Sequence, residues 1–335
     1  MSGAPTPSPI SPAPGNTCPQ AVWVTDAAYA HGTGLSILSA SRQTPADAVL
    51  TVVMPPDDLA RTDWSPLRAA LRPNHALRTL AAADPRIERC ALASDYITRT
   101  TYLRFLLPEL LPDAARCIYL DGDILVMDDL SLLWNEMDPV APVSAARDLC
   151  IAAEGTYMRS LGLTSYFNSG VMGLNLQAWR ACGDTGACLR LAASLTRKHQ
   201  YQDQDVLNLL FADRVGWLHP RWNILGTITG IYAYDAHCVS RTEWLRMRTQ
   251  PGIAHYTGPR KPWHGDMSHW LAWKYWEAAD QSPWRAEYAP RRAEARRRYL
   301  ACRAKHLRRW VARFAHRREH RKAYLMLCGR KIELG

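Results

Sequence analysis

The chain has no uncharged apolar run near the ~20 residues that a membrane-spanning helix requires, which excludes a multi-span membrane protein. Residues 1–20 carry no Lys or Arg and are crowded with Pro, Ser and Gly, so no secretory pattern is expected there. None of the nine cysteines (18, 90, 117, 150, 182, 188, 238, 302 and 328) forms a C-x-x-C pair, and their number is odd. In a chain of this size that reads as reduced thiols in a cytosolic protein, not as a disulfide framework or a zinc site. Several nucleotide and hydrolase signatures are also missing. No G-x-x-x-x-G-K-[ST] occurs, which argues against a P-loop. Gly32-Thr33-Gly34 lacks the third glycine and the strand context of a dinucleotide fingerprint, and no G-x-S-x-G elbow is present.

What is present is ordinary in bulk and uneven in charge. The 335 residues suit one large domain, or a domain with an extension, and can bury a core without disulfides. Apolar residues make up 47% and charged residues 21%, as in a soluble globular protein. Of the net charge of +10, the segment from Arg285 to Gly335 carries +13, from 17 Lys and Arg against 4 Asp and Glu. The preceding 284 residues are therefore slightly acidic, at −3. A basic segment of this kind favours an anionic partner: a membrane surface, a nucleic acid or a polyanionic substrate.

Residues 1–20 hold too little apolar content to fold and are expected to be a disordered leader. Short apolar runs stopped by polar or Pro residues predict buried strands at 21–25, 48–54, 117–120, 124–127 and 171–175. Helices are predicted over 31–41, 101–111 (with Pro108 disturbing its end), 184–199 and 203–212. Strands alternating with helices imply a mainly parallel α/β sheet, whose ligands gather beyond the carboxyl ends of the strands.

Four stretches carry chemistry. In Cys117 to Val126 (CIYLDGDILV), Asp121 and Asp123 follow a buried strand at i and i+2, so both project to one side of an extended backbone and can share a hard divalent cation. The competing reading is a plain turn. In Phe167 to Asn175 (FNSGVMGLN), Asn168 offers a donor and an acceptor for hydroxyl recognition and Gly170 permits close backbone approach; an Asn-Ser-Gly turn is the alternative. In Tyr201 to Asp205 (YQDQD), the carboxylates open a helix, where the helix dipole alone accounts for a single Asp. In His255 to Trp263 (HYTGPRKPW), His255 suits a metal and Gly258 with Lys261 suits a phosphate, although a lone His is often structural.

Taken together and in this order, YLDGD, FNSGVMGLN, YQDQDVLN and HYTGPRKPW resemble the family-eight retaining glycosyltransferases, over roughly Val22 to Ala279. The chain looks most like the bacterial galactosyltransferases and glucosyltransferases that extend lipooligosaccharide or lipopolysaccharide cores. The resemblance implies a GT-A fold: a mainly parallel nucleotide-sugar-binding sheet flanked by helices, here spanning 21–283, followed by a basic helical extension over 284–335. It implies manganese (or magnesium) on Asp121, Asp123 and His255. Thr25, Asp26, Tyr29, Arg104 and Gly122 would line the nucleotide, with Gly258 and Lys261 at the diphosphate. Asn168, Asp203 and Gln204 would line the donor sugar and reacting centre, with Asp148 and Tyr201 where donor and acceptor sugars meet. Two positions depart from the pattern. Ala28 stands where relatives often have an Asn on the nucleotide, and Gly122 is small enough to leave room beside the ribose or sugar.

The implied reaction moves a hexose, galactose first and glucose next, from a UDP-sugar to a lipid-linked oligosaccharide core. Gln204 would be nearest the anomeric carbon, and a poor nucleophile there favours same-face attack over double displacement. In the basic segment, Leu307, Trp310, Val311 and Phe314 follow i, i+3, i+4, i+7 among arginines, which suits an interfacial helix on anionic lipid at the cytoplasmic face of the inner membrane. The alternative is that the stripe packs on the catalytic body. No nucleic-acid-binding motif is found and no nucleic acid is expected as partner. Rival functions are a family member acting on a protein or a storage polymer, and a non-enzymatic lipid- or nucleic-acid-binding module.

Overall fold

A computed structural model describes residues 18–92, 98–196, 198–226, 239–316, 324–327 and 330–333. Its strands are β1 (Gln20–Val24), β2 (Ala48–Met54), β3 (His75–Ala81), β4 (Cys117–Leu120), β5 (Ile124–Val126), β6 (Val143–Arg147), β7 (Phe167–Leu174), β8 (Val215–Trp217), β9 (Ile224–Leu225), β10 (Ile253–His255) and, in the C-terminal segment expected to be helical throughout, β11 (Tyr324–Leu327) and β12 (Arg330–Glu333), which pair antiparallel with each other. Seven of them form one sheet in the order β3-β2-β1-β4-β7-β6-β8, and β5-β10-β9 form a small second sheet. β1 runs parallel to β2 and β4, β2 to β3, and β6 to β8, whereas β7 is antiparallel to both its neighbours. This is the mainly parallel α/β architecture that the alternation of elements predicts.

The apolar runs explain themselves once both faces are seen to be covered. In β1, Ala21 and Trp23 enter one hydrophobic cluster and Val22 and Val24 the other; in β4, Ile118 and Leu120 divide in the same way from Cys117 and Tyr119. A strand covered on both faces has no polar phase, so its sequence reads as a continuous run. β3, at the sheet edge, buries only Leu77. β7 begins earlier than predicted and takes in Asn168-Ser169-Gly170, every residue of it buried, so the turn reading of that tripeptide does not hold. The stretch expected to be one helix over 101–111 is a 3-10 helix, Arg99–Leu106, leading into the short helix Leu107–Leu110. There Pro108 stands in the first turn, where a missing N–H has no intrahelical partner to lose, so it starts this helix instead of disturbing one. The helix from Asp184 stops at Ala193, short of the expected end at 199; beyond it His199 Nδ1 accepts from Thr196 N (3.0 Å).

The first helix, Ala30–Gln43, is buried along most of its length and is pinned to both sheets. Ser36 accepts from Trp23 Nε1 on β1 (2.8 Å), and Ser39 Oγ accepts from Val126 N on β5 (2.9 Å). Gly34 leaves the space that Trp284 fills: a Cβ at that position would stand 2.2 Å from Trp284 Cη2. The C-terminal helix Arg285–His316 starts beside this contact, and Trp284, Tyr288 and Ala295 all belong to the core. The packed body therefore continues past Pro283. Further along, Arg296, Arg297, Arg298 and Leu300 are exposed. The helix runs on through Leu307, Trp310, Val311 and Phe314, whose side chains lie outside the described residues.

Trp284→Ala is expected to lower unfolding stability by about 3 kcal/mol or more, as for a large aromatic lost from a core. Leu300→Ala, 58% exposed, should stay within about 0.5 kcal/mol. Urea denaturation of both variants checks this. Equal, small losses would show that the start of the C-terminal helix contributes nothing to the core.

Candidate active site

The reversal of β7 sets the site. It brings the amino end of β7, Asn168-Ser169-Gly170, beside the carboxyl ends of β1, β4 and β6, where Thr25-Asp26, Asp121 and Asp148 follow. Asp121-Gly122-Asp123 does form a turn, linking β4 to β5, and that turn also serves the clustering of charge. β10 pairs antiparallel with β5, placing His255 opposite Ile124, and Tyr256 N donates to Asp123 O (2.9 Å). Gly170 is the floor of the junction: a Cβ there would lie 2.1 Å from His255 Cε1 and 2.8 Å from Asp121 Oδ2.

Asp121, Asp123 and His255 each offer a donor atom, all within 4.8 Å of one another, and they form the one such cluster among the described residues. Each carboxylate has one oxygen engaged by the protein and the other turned to the common point. Asp121 Oδ1 accepts from Tyr119 Oη (2.7 Å) and Arg104 Nη2 (3.0 Å), while Asp123 Oδ2 is paired with Lys261 Nζ. The remaining oxygens face His255 Nε2, Asp121 Oδ2 at 3.7 Å and Asp123 Oδ1 at 3.2 Å. Two carboxylates and an imidazole fit a divalent cation of the magnesium–manganese class. Burial would raise the Asp123 carboxyl, but Lys261 and His255 outweigh it and hold it below the ordinary carboxylate range. Burial likewise would lower the Lys261 ammonium, yet Asp123 keeps it raised.

A second buried group adjoins the first. Asp148 follows β6 and caps the helix Leu149–Glu154, its Oδ1 accepting from Cys150 N and Ile151 N (both 3.1 Å). Its Oδ2 accepts from Asn168 Nδ2 (3.0 Å) and Gln204 Nε2 (3.3 Å). Gln204 Oε1 in turn accepts from Ser169 N (3.0 Å). Asp203 pairs with Arg104 Nη1 (2.8 Å); its burial, only partly offset by Arg104, pushes its carboxyl up to about 6. Arg104, expected at the nucleotide, is buried behind the two carboxylates, with its guanidinium also over the Tyr119 ring at 4.5 Å. The helix dipole is not what holds the two Asp of the Asp-Gln-Asp run: Asp203 faces Arg104, and Asp205 accepts from Tyr157 Oη (2.6 Å), Tyr166 Oη (2.5 Å) and Tyr201 N (2.9 Å). Gln202, next to this clamp, has φ 45, a strained value for a non-glycine residue. Tyr201 itself is exposed at the rim.

Among the residues expected at the nucleotide, Thr25 Oγ1 accepts from Thr33 (2.8 Å), and Asp26 caps the turn Ala27–Tyr29 by accepting from Tyr29 N (3.1 Å). Tyr29 meets Trp263 edge-on at 6.1 Å, and Ala28 is exposed. Gly258 has φ +83 and open space around it. The room expected at Gly122 is taken, because a Cβ there would stand 2.3 Å from Thr33 Oγ1. The absence of a side chain at Gly122 lets the first helix close on the turn.

Sequence reasoning missed Asn223, whose Oδ1 meets His255 Nδ1 at 2.8 Å, and missed the tyrosines around Asp205. Asn223 stands alone in Arg221-Trp222-Asn223-Ile224 with no motif around it. Tyr119 lies inside YLDGD and was legible as one of its residues, though not as a hydrogen-bond donor to Asp121.

Fold and site together define an α/β protein with a partly buried group of carboxylates, fit for a divalent cation, at the ends of its central strands. The family model for glycosyl transferase family 8 matches residues 21–267, and the chain belongs to that family. It is similar to the lipopolysaccharide 1,2-glucosyltransferase of Escherichia coli (strain K12), 28% identical over 288 residues, covering 83% of this chain and 82% of that protein. General stress protein A of Bacillus subtilis (strain 168) is 30% identical over 214 residues, covering 60% of this chain and 72% of that one. Among solved structures, the galactosyltransferase LgtC in complex with donor and acceptor sugar analogues superposes with a TM-score of 0.67 at 28% identity, covering 78% of this chain and 96% of LgtC.

Proposed function

We propose that the protein is a divalent-cation-dependent, retaining hexosyltransferase that moves galactose or glucose from a UDP-sugar to a lipopolysaccharide or lipooligosaccharide core. The observation that carries this reading is the facing set Asp121, Asp123 and His255 with Lys261 beside it, in a chain of family 8. The similarity to a lipopolysaccharide glucosyltransferase and to LgtC supports the choice of hexose and of acceptor.

Departure of a nucleoside diphosphate from the anomeric carbon builds negative charge on phosphate oxygens. A bound manganese or magnesium ion would supply Lewis-acid stabilisation of that charge. Lys261, kept protonated by Asp123, adds a fixed positive charge at the same place. Asp148, Asn168 and Asp203 would line the sugar, Asp148 and Asn168 already bonded to each other, and Arg104 holds Asp203 and Asp121 in place. The Gln204 side chain is a weak nucleophile already engaged at both ends, by Ser169 N and Asp148. That supports same-face attack, in which the acceptor hydroxyl bonds to the anomeric carbon and its proton passes to the departing phosphate oxygen.

The basic C-terminal segment would bring this site to its lipid-linked acceptor at the cytoplasmic surface of an anionic membrane. Among the described residues no helix is long and apolar enough to cross a membrane. Basic residues near such a surface contribute about 1 kcal/mol each, and the segment holds 17 of them.

With manganese, the protein should hydrolyse UDP-galactose or UDP-glucose slowly and transfer the hexose to a core acceptor. Asp123→Asn or excess EDTA should lower turnover by about a hundredfold or more, since cation stabilisation of the leaving group is worth several kcal/mol. Gln204→Ala should lower turnover strongly with UDP affinity nearly unchanged. Full activity in EDTA, or in Asp123→Asn, contradicts the assignment. For the membrane, the combined variant Arg308→Glu, Arg309→Glu, Arg313→Glu should lose co-sedimentation with anionic vesicles while keeping UDP-hexose hydrolysis. Vesicle binding equal to that of the unaltered protein would refute the surface role.

A further inference from the structure

We infer that Asn223 is a positioning residue for the cation site: it holds the proton of His255 on Nδ1 and so leaves Nε2 as the nitrogen that faces Asp121 and Asp123. The inference rests on the cation-dependent reading above and assigns a role to a residue outside the four motifs.

A buried chain of side-chain hydrogen bonds fixes the polarity at His255. It starts at two groups whose polarity is not in question. The backbone N–H of Gly170 can only donate, and it reaches Asn168 Oδ1 at 3.0 Å. A carboxylate can only accept, and Asp148 Oδ2 lies 3.0 Å from Asn168 Nδ2. Both fix the amide of Asn168 the same way round. Asn168 Oδ1 therefore requires a donor from its other neighbour, which is Asn223 Nδ2 at 2.9 Å. With its amino group so committed, Asn223 turns its carbonyl oxygen to His255 Nδ1 at 2.8 Å. A carbonyl oxygen only accepts, so Nδ1 carries a proton. Asn168, Asn223 and His255 are all buried, which leaves bulk water no part in the choice.

The consequence falls on Nε2. It lies 3.2 Å from Asp123 Oδ1 and 3.7 Å from Asp121 Oδ2. A metal-bound imidazole needs a bare nitrogen on the metal side and a hydrogen bond from the other ring N–H to fix its orientation. Asn223 supplies that hydrogen bond. Because it is also bonded to Asn168, the same amide ties the orientation of the cation ligand to the polar group around Asp148. Asn223 stands directly before β9, the strand that pairs with β10 and carries the chain alongside His255.

The first test needs neither metal nor variant. In the metal-free protein, 15N NMR of the His255 ring, identified by its loss in His255→Gln, should show Nδ1 protonated whatever the state of Nε2. A bare Nδ1 overturns the proposal. The second test measures Mn2+ affinity of the full chain by electron paramagnetic resonance. Asn223→Ala should bind Mn2+ about 10–100-fold more weakly, the usual effect of losing such a partner. Asn223→Asp, which keeps an acceptor toward Nδ1 but loses the donor to Asn168 Oδ1, should fall between Asn223→Ala and the unaltered protein. Unaltered Mn2+ affinity in Asn223→Ala, or an equal loss in Asn223→Asp, overturns the proposal. Absence of Mn2+ binding by the unaltered protein would instead sink the cation-dependent reading, and the ring proton would still decide the role of Asn223. Should Asn223→Ala fail to fold, the spectrum of the unaltered protein alone decides it.

Discussion

Four carboxylates, Asp121, Asp123, Asp148 and Asp203, meet at one end of a single sheet, Asp148 and Asp203 buried and Asp121 and Asp123 partly so. Holding that much negative charge in a poorly solvated place is unfavourable unless each group is paired or fully hydrogen-bonded. Lys261 answers Asp123, Arg104 answers both Asp121 and Asp203, and Asp148 is satisfied by two backbone N–H groups and two side-chain amides. The balance is incomplete at one point. His255 stands between Asp121 and Asp123 as a neutral or singly charged partner for two anions. A divalent cation at that point would complete the compensation.

The fold is arranged around this compensation. A purely parallel sheet would place only carboxyl ends at the site. The antiparallel insertion of β7 between β4 and β6 brings Gly170 against Asp121 and His255, and brings Asn168 against Asp148. The small sheet then matters as a second support. Its strand β10 sets His255 opposite the turn that follows β4, and its strand β9 delivers Asn223 behind His255. The first helix closes the other side through Thr33, packed where Gly122 has no side chain. On its far face the same helix receives Trp284, so the start of the basic C-terminal helix is built into the body that holds the site.

How much of this was legible in the sequence depended on the range of the interaction. β1, β2 and β4 were readable because strands covered on both faces are apolar at every position. β6, β8, β9 and β10 were not, since strands of two to five residues with Ser, Gly, Arg and His in them carry no local signal. Asn168-Ser169-Gly170 reads as a turn because polar residues in a buried strand are rare. They are tolerated here because Asp148, Asn223 and Gln204 complete their hydrogen bonds from distant parts of the chain. The motif residues themselves were legible through their order and their resemblance to a family. Their partners were not: Asn223 lies 32 residues from His255 and 55 from Asn168, and no short pattern encodes such contacts. Gly122 shows the opposite error, a local reading of spare room that a helix from elsewhere in the chain has filled.

The central claim is that Asp121, Asp123 and His255 hold a divalent cation through which a nucleoside diphosphate is bound. Calorimetric titration of UDP into the full-length protein, with Mn2+ and then with EDTA, tests it most directly. The account expects UDP to bind at least about tenfold more tightly with Mn2+, a difference of about 1.4 kcal/mol or more. Equal UDP affinity in the two conditions would contradict it.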